Sequence, residues 1–401
     1  MDTEVCIAGG GPAGMILALM LGRQGRSVVV METTKSYRRS FRGESMQPDA
    51  IDLLDELGLT DALRQHGWME THRLLVTERG RERLHVELGH KPYRYKFTVD
   101  IPQTVLLETI SDELARLENV KVLRGASVVG LIEEQGVVHG VRYSMAGAQH
   151  EMRSLVTVGA DGRYSRVRKL SGLAAVKTPL DRDVLWCKFP RPPAWPRNCM
   201  RVLLNGPNHL IVLPTYPDLV RCGVNIPKNG FGALRQEGIG ALHATVSAID
   251  PAFGEHFRQN IHDWSDLTLL DIFTSTLLQW GKPGLVMIGD AAHTVTPLLG
   301  QGVNLAIEDA YVLAEMLKPV LAEGRHPGLD FIASFQAVRQ PQVDLVLKLQ
   351  TFQERLLSAR TFGALSLRRL YYMLMNNLPL LQSRVSDAII YRRQKELAHY
   401  A

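Results

Sequence analysis

The chain lacks most of the features that would place it in a special structural class. Its 401 residues contain only four cysteines, Cys6, Cys187, Cys199 and Cys222. Their spacings match no zinc or redox motif, so a disulfide scaffold and a zinc ribbon are excluded, and the buried, reduced thiols of a cytoplasmic protein are expected. There is no internal repeat and no low-complexity tract, which excludes repeat arrays and compositionally biased linkers. An excess of one charge is also missing: 46 Lys and Arg stand against 41 Asp and Glu, a net +5. That balance favours anionic ligands in general and does not indicate nucleic acid, so no nucleic-acid partner is expected.

One run, Val5 to Gly22, has no charged residue and approaches the length of a membrane span. Four glycines and a proline precede Met15, and Arg23 and Arg26 follow closely. A strand, a tight turn and a buried helix are expected there, and no transmembrane segment. Asp2 and Glu4 occupy the start that a secretory signal would make positive. What remains is an ordinary globular composition, 45% hydrophobic and 22% charged, at a length that can bury one large core or two smaller ones.

Periodicity predicts strands at 4–8 and 27–31 around a helix at 13–24, a βαβ unit. Helices follow at 49–58 and 104–117, then strands at 121–123, 127–134, 137–143 and 154–158. Between 181 and 278 short strands alternate with Pro/Gly turns, at 184–189, 200–204, 209–213, 219–226 and 268–277. They predict an antiparallel sheet inserted into the first unit. Beyond Gly302 the chain reads as helical. Val303, Ala306, Ile307, Ala310, Leu313, Ala314 and Leu317 trace one apolar stripe, and further helices are expected over 332–357, 361–378 and 382–398.

Three motifs carry chemistry. Gly9-Gly10-Gly11-Pro12-Ala13-Gly14 fits G-x-G-x-x-G between the first expected strand and helix. Gly9 permits the tight turn, Gly11 lets a pyrophosphate approach the backbone, and Gly14 lets helix and strand pack closely. Glu32 ends the second strand, where a carboxylate can bond a ribose hydroxyl pair, so a dinucleotide site is expected. The second motif, Gly159-Ala160-Asp161-Gly162-Arg163-Tyr164-Ser165-Arg166-Val167-Arg168, puts an Asp-Gly turn before a helix that Ser165 can cap. The third runs from Gly289 to Asn304. An apolar strand ends in an acidic turn at Asp290, and a Pro/Gly-rich loop from Pro297 to Gly302 opens a helix. A carboxylate at such a turn suits a polyol, and the helix start offers N–H groups to partial negative charge.

In order and spacing these motifs resemble those of the FAD-dependent aromatic hydroxylases, the class A flavoprotein monooxygenases of the p-hydroxybenzoate hydroxylase type. Phe335-Gln336-Ala337-Val338-Arg339-Gln340-Pro341 resembles the family's Tyr-x-x-x-Arg-x-Pro ending, with Phe for Tyr. The resemblance implies an α/β fold: a Rossmann-type FAD-binding domain (1–180 and 279–345), an inserted, mainly antiparallel β-sheet substrate domain (181–278, with part of the substrate region near 70–102), and C-terminal helices (346–401). It implies FAD, with Gly9, Gly11, Pro12, Ala13, Gly14 and Glu32 at the adenosine half and Asp161 near the pyrophosphate. Gly289 and Asp290 would meet the ribityl chain, and Pro297, Gly300, Gly302, Val303 and Asn304 the flavin ring. Two further contacts are implied at Arg42 and Gln103. In the implied reaction NADH or NADPH, bound transiently and without a glycine-rich motif of its own, reduces the flavin. O2 then gives a C4a-hydroperoxide that passes one oxygen atom to an aromatic small molecule, phenol-like or polycyclic.

The substrate side is less legible. His209, Tyr216 and Pro297 are the candidates for the catalytic side, the first two because either ring could exchange a phenolic proton. Arg201 and Arg221 could pair with a substrate carboxylate, although exposed strand arginines are the commoner case. His293 resembles a catalytic base, but the family carries a histidine here without using it so, and it reads as scaffold. No metal site is expected. An epoxidase, Baeyer–Villiger enzyme or reductase on the same fold is the alternative, and a flavin-bearing binding protein without turnover a third reading. A halogenase would show a Trp-x-Trp-x-Ile-Pro run, which is missing. Arg368, Arg369, Arg384, Arg392 and Arg393 among Leu, Tyr and Met point to helices packed on the body or on a second subunit, with peripheral membrane contact as the alternative. A monomer or homodimer is expected.

Overall fold

The structure, a computed structural model, describes residues 2–37, 43–89 and 94–390. Thr3–Ala8 and Val28–Glu32 pair in parallel. Every residue of Val28–Glu32 is buried, as an unbroken apolar strand covered on both faces requires. Pro12 opens helix Pro12–Arg23, where its missing N–H costs nothing. Ala13 to Gly22 are all buried, because the helix packs against the sheet and against helices Gln103–Leu114 and Gly302–Ala322. The lack of a charged face on this helix is thereby explained without a membrane.

Five parallel strands run in the order Val120–Arg124, Val28–Glu32, Thr3–Ala8, Ala148–Gly159 and Leu285–Met287, edged by antiparallel Gly281–Lys282. Parallel pairing puts all their carboxyl ends on one edge of the sheet. That edge therefore collects the glycine-rich turn after Ala8, Glu32, the turn after Gly159 and the acidic turn after Met287, the usual ligand edge of an open α/β sheet.

A second sheet has the order Thr268–Leu270, Arg182–Pro190, Leu219–Pro227, Asn208–Thr215, Cys199–Asn205, Arg73–Glu78 and Arg81–Glu87. Two of its strands come from residues 73–87, far earlier in the chain, and Arg73–Glu78 runs parallel to Cys199–Asn205. The four cysteines are free and buried.

Two expectations fail here. The region 181–278 is not only strands: Phe231–Glu237, Ile239–Ile249 and Pro251–Asn260 are helices. Leu242, Val246, Ile249, Phe253 and Phe257 recur at helical spacing and are buried against Leu185, Phe189, Leu210 and Val224 of the sheet. Asp250 caps the last helix, accepting from Phe253 N at 2.9 Å, and Pro251 follows at its first turn, so a start signal was present. The single strand expected at 268–277 is two. Asp183 accepts from Ile272 N at 3.2 Å, and Lys228 Nζ binds Asp183 at 2.8 Å, Asp271 at 2.5 Å and the Ile272 carbonyl at 2.8 Å. That knot turns the chain out of the large sheet, and Phe273–Leu277 pairs instead with Ala175–Pro179 and His293–Thr294.

The C-terminal helices pack on the body. Leu329–Leu357 leads to Phe362–Asn377, which lies along strand Arg81–Glu87, and to Pro379–Ile390. Arg368 is fully buried. Its Nη2 donates to Glu78 Oε1 at 2.6 Å, and Arg369 Nε to Glu78 Oε2 at 2.8 Å. Burial works against the Glu78 charge, but Arg369 and Arg368 hold its carboxyl below the usual range. These two arginines therefore fix the helix to the body and are not a lipid-facing pair. Arg392 and Arg393 lie outside the described residues. No helix among the described residues is long and apolar enough to cross a membrane.

Candidate functional site

A cavity of about 870 Å³ extends from the glycine-rich turn, past the acidic turn, to the inner side of the C-terminal helices. Its first end is shaped by what three glycines lack. Gly9 has φ +113°, and a Cβ there would lie 2.4 Å from the Ala160 carbonyl oxygen. A Cβ at Gly14 would lie 2.0 Å from the Gly9 oxygen, whereas one at Gly11 would meet no atom within 4 Å. Gly9 and Gly14 are thus glycine for internal packing, and Gly11 because it faces open cavity. Pro12 and Ala13 line the same end, and Gly14 lies behind it.

Glu32 is buried at the edge of this end. Its Oε2 accepts from Gly10 N at 2.8 Å, and its Oε1 from Thr34 N at 2.8 Å and Thr34 Oγ1 at 2.7 Å. The carboxylate is held in one orientation by the Gly10 N–H of the glycine motif and by Thr34 just past its own strand. Asp161 also lines the cavity, but its side chain points to its own helix, accepting from Ser165 Oγ, from Arg166 N at 2.7 Å and from Val167 N at 3.0 Å. Ser165 caps as expected, accepting from Arg168 N at 2.9 Å. With its carboxylate engaged, Asp161 has its main chain left to face a ligand, and Arg163 and Arg166 of the same segment also line the cavity.

The acidic turn follows. Gly289, at φ +59°, packs against Ala306 and Ala13. Asp290 lines the cavity with its carboxylate 3.5 Å from Arg163 Nε. Behind the turn lies a network that only the tertiary structure assembles. Asp309 accepts from Gly289 N at 2.8 Å, from Arg339 Nε at 2.7 Å and bonds His293 Nε2 at 2.6 Å. All three side chains are buried. Burial favours the neutral acid, but His293 and Arg339 hold the Asp309 carboxyl down at about 2. His293 is tied into this bracket and does not line the cavity.

The loop of the third motif is pinned from the far helix. Gln350 Nε2 donates to the carbonyls of Thr296 at 2.9 Å and Leu298 at 2.6 Å, and its Oε1 accepts from Thr296 N at 3.0 Å. Leu299 and Gly300 adopt φ +64° and +60°. Asn304 is a staple: its Oδ1 accepts from Gln47 N at 2.8 Å, and its Nδ2 donates to Gly300 O at 2.7 Å and Ser45 O at 3.1 Å. Pro297, Gly300, Gly302 and Val303 line the cavity, while the Asn304 side chain is behind it. The helix start at Gly302 presents N–H groups that no turn of helix can satisfy. Gln103 also lines the cavity and its Nε2 is 3.5 Å from Gly43 O. Arg42 lies outside the described residues.

Beyond this loop the wall is apolar: Trp186, Met200, Val202, Ile211 and Leu213 from the large sheet, then Tyr371, Tyr372 and Met375 from the C-terminal helices. Gly223 makes room for Trp186, since a Cβ there would lie 2.9 Å from the indole. His209 and Tyr216 are not part of this wall. His209 shares the sheet face of Ile211 and Leu213, but it lies past the cavity under a buried ion pair. Arg182 donates to Glu354 twice at 2.6 Å and its Nη1 is 3.1 Å from His209 Nε2. Burial and the Arg182 charge push the imidazole well below its usual range, so it stays neutral. Tyr216 sits half in solvent at the turn after Asn208–Thr215. Arg201 stacks on Trp195, at 4.3 Å from the ring centroid.

Arg221 is the opposite case. It is not an exposed strand residue: it is fully buried and lines the cavity. Its Nη2 donates to Asp100 Oδ1 and to Ser45 Oγ at 3.0 Å, and its Nε is 3.4 Å from Glu44, which Lys188 also binds at 2.8 Å. Burial raises the Asp100 carboxyl above its usual range despite the Arg221 charge. No periodicity marks these residues, because the cluster joins four distant segments.

Comparison with known proteins completes the picture. The family model described as FAD binding domain matches residues 2–212 and 240–348. The chain belongs to this family. The flavoprotein is 34% identical, over 95% of its length and 90% of the relative's, to 6-methylpretetramide 4-monooxygenase of Streptomyces rimosus. It is 26% identical to squalene epoxidase 3 of Arabidopsis thaliana, covering 85% of this chain and 65% of that one. The crystal structure of P. aeruginosa PqsL in complex with 2-aminobenzoylacetate matches with a TM-score of 0.80 and 25% identity, over 92% of this chain and 99% of that one. The α/β architecture and the class A flavoprotein monooxygenase resemblance both hold. The residues fit FAD on their own terms as well. The flavoprotein has an open cradle at Gly11, an oriented carboxylate at Glu32, a second at Asp290 and a helix start at Gly302, all on one continuous cavity.

Proposed function

We propose that this flavoprotein uses NADH or NADPH and O2 to insert one oxygen atom into an aromatic small molecule, phenol-like or polycyclic. The observation that carries the reading is the single cavity, which changes character along its length. Glycine-rich backbone and carboxylates occupy one end, and Trp186 with aliphatic side chains the other. Gly11 and the start of helix Pro12–Arg23 would hold the pyrophosphate, Glu32 a ribose, the main chain at Asp161 the diphosphate flank, and Asp290 the ribityl chain. The N–H groups of Gly302, Val303 and Asn304 would face the flavin ring and favour negative charge on it. When bound, FAD supplies the electron transfer and oxygen chemistry that the side chains cannot. The protein excludes water with Trp186, Met200, Val202, Ile211 and Leu213. It orients a polar group of the substrate toward Arg221, Asp100 and Ser45. Pro297 serves this reading as a loop residue of the cavity wall, with no proton to exchange.

Purified protein should show flavin bands in its visible spectrum, and a panel of phenols, quinolones and polycyclic aromatics should contain compounds that stimulate NAD(P)H oxidation. Mass spectrometry should then find a gain of one oxygen atom. A spectrum without flavin bands after reconstitution with FAD would sink the reading. An epoxidase is the second reading, supported by the identity to a squalene epoxidase and by the apolar far wall. The product decides between them, a phenol in one case and an epoxide or its diol in the other.

A further inference from the structure

The C-terminal helices have two apolar faces, and only one is covered. In helix Phe362–Asn377, Arg368, Tyr372 and Met375 are buried toward the body, and Tyr371, Tyr372 and Met375 line the cavity. Leu367, Leu370 and Leu374, also spaced by three and four, form a second stripe on another face of the helix. They are exposed, Leu367 by 62%. Phe362 before them and Leu380 after them are exposed by 84% and 81%. Isolated exposed leucines are ordinary, but a stripe of this kind on adjacent helices marks an interaction surface.

Charge identifies what covers it. From Arg355 to Ile390 there are five arginines and a single acid, Asp387. Arg368 and Arg369 are bound to Glu78, while Arg355, Arg360 and Arg384 are exposed. A second copy of this chain docking through the same face would bring these arginines together with a single acid, Asp387 of the last helix, to answer them. An anionic lipid surface supplies both the apolar layer for the leucines and the countercharge for the arginines. We propose that the outer face of Phe362–Asn377 and Pro379–Ile390 rests on an anionic membrane surface without crossing it. Since Val385 and the inner face of the same helices wall the cavity, a lipid-dissolved substrate would reach the active site from that side.

Vesicle co-sedimentation of the flavin-loaded protein tests this. Vesicles of equimolar phosphatidylcholine and phosphatidylglycerol should carry the protein down, and phosphatidylcholine alone should do so far less. The double variant Leu367→Glu/Leu374→Glu should abolish binding, and Arg360→Glu/Arg384→Glu should weaken it on the order of tenfold or more, both with unchanged flavin content. No sedimentation with either vesicle overturns the proposal. So does a leucine-dependent dimer by light scattering that ignores vesicles, which would assign the face to a second copy. Sedimentation does not depend on turnover, so the proposed reaction and this surface stand or fall separately.

Discussion

Gly11 and Gly14 belong to one motif but predict opposite phenotypes. A Cβ at Gly14 would collide with backbone 2.0 Å away, so Gly14→Ala should lower Tm whether or not FAD is present. A Cβ at Gly11 meets nothing within 4 Å. Gly11→Ala should therefore keep the apoprotein's Tm while weakening FAD, because the methyl projects where the pyrophosphate would approach. Paired melting curves and flavin titrations separate the two. An apoprotein destabilised equally by both changes would mean the motif is only a turn. Asp290→Ala should likewise spare the fold and cost FAD affinity by roughly 10- to 100-fold, the usual scale for a charged hydrogen bond. Full flavin occupancy of that variant at low FAD would refute its role. At this scale the turn glycines and strand-end carboxylates that line the cavity were legible in the sequence, since they are local signals. It missed Trp186, Asp100 and Gln350, and it ranked Arg221 low, because each gains meaning only from a partner far away in the chain.

At the scale of elements, two brackets hold the site in shape. Asp309 joins the acidic turn, helix Gly302–Ala322 and helix Leu329–Leu357. Its carboxyl sits at about 2 in the folded protein against ~3.9 in an unfolded chain. A depressed carboxyl stabilises the fold above its unfolded value, and that contribution disappears as pH falls from about 4 toward 2. The increment is of order 2–3 kcal/mol. Asp309→Asn should remove this acid-dependent step from denaturation curves. It should also destabilise the protein at neutral pH by roughly 3–5 kcal/mol, since Arg339 is left buried with one partner fewer. The second bracket is Glu78, which grips Arg368 and Arg369. Glu78→Gln should loosen helix Phe362–Asn377, read out as faster limited proteolysis near residue 360, with flavin content retained. The helices at 231–260 show how an element escapes notice. Their apolar spacing was present, but the strands on both sides gave the region a β texture.

At the scale of the whole molecule, the cavity exists because two sheets and a C-terminal helix pair meet around one loop. Its far end is made by residues that no motif connects, from 73–87 and from 371–385. Val385→Trp should fill that end. KM for a large substrate should rise with little change in FAD occupancy, whereas a change confined to flavin binding would show that the cavity ends sooner. The buried ion pair of Arg182 and Glu354 holds His209 away from the cavity lining. Retained activity in a soluble His209→Gln variant would agree with that placement, and loss of proton-transfer steps in its pH profile would contradict it.

The sequence by itself determined the parallel sheet, the glycine turn, the acidic turn and the helix start, because each is encoded by neighbours within a few residues. Hydrogen bonding and sterics at that range leave the chain little choice. Only the tertiary structure decided which charges are buried, which wall faces the flavin end and which face of the last helices is left uncovered. Those outcomes depend on desolvation and on partners hundreds of residues apart, and a linear pattern carries neither. His209 and Arg221 make the point together. Both are polar residues on neighbouring strands of one sheet, and packing alone sent one beneath an ion pair and the other to the cavity.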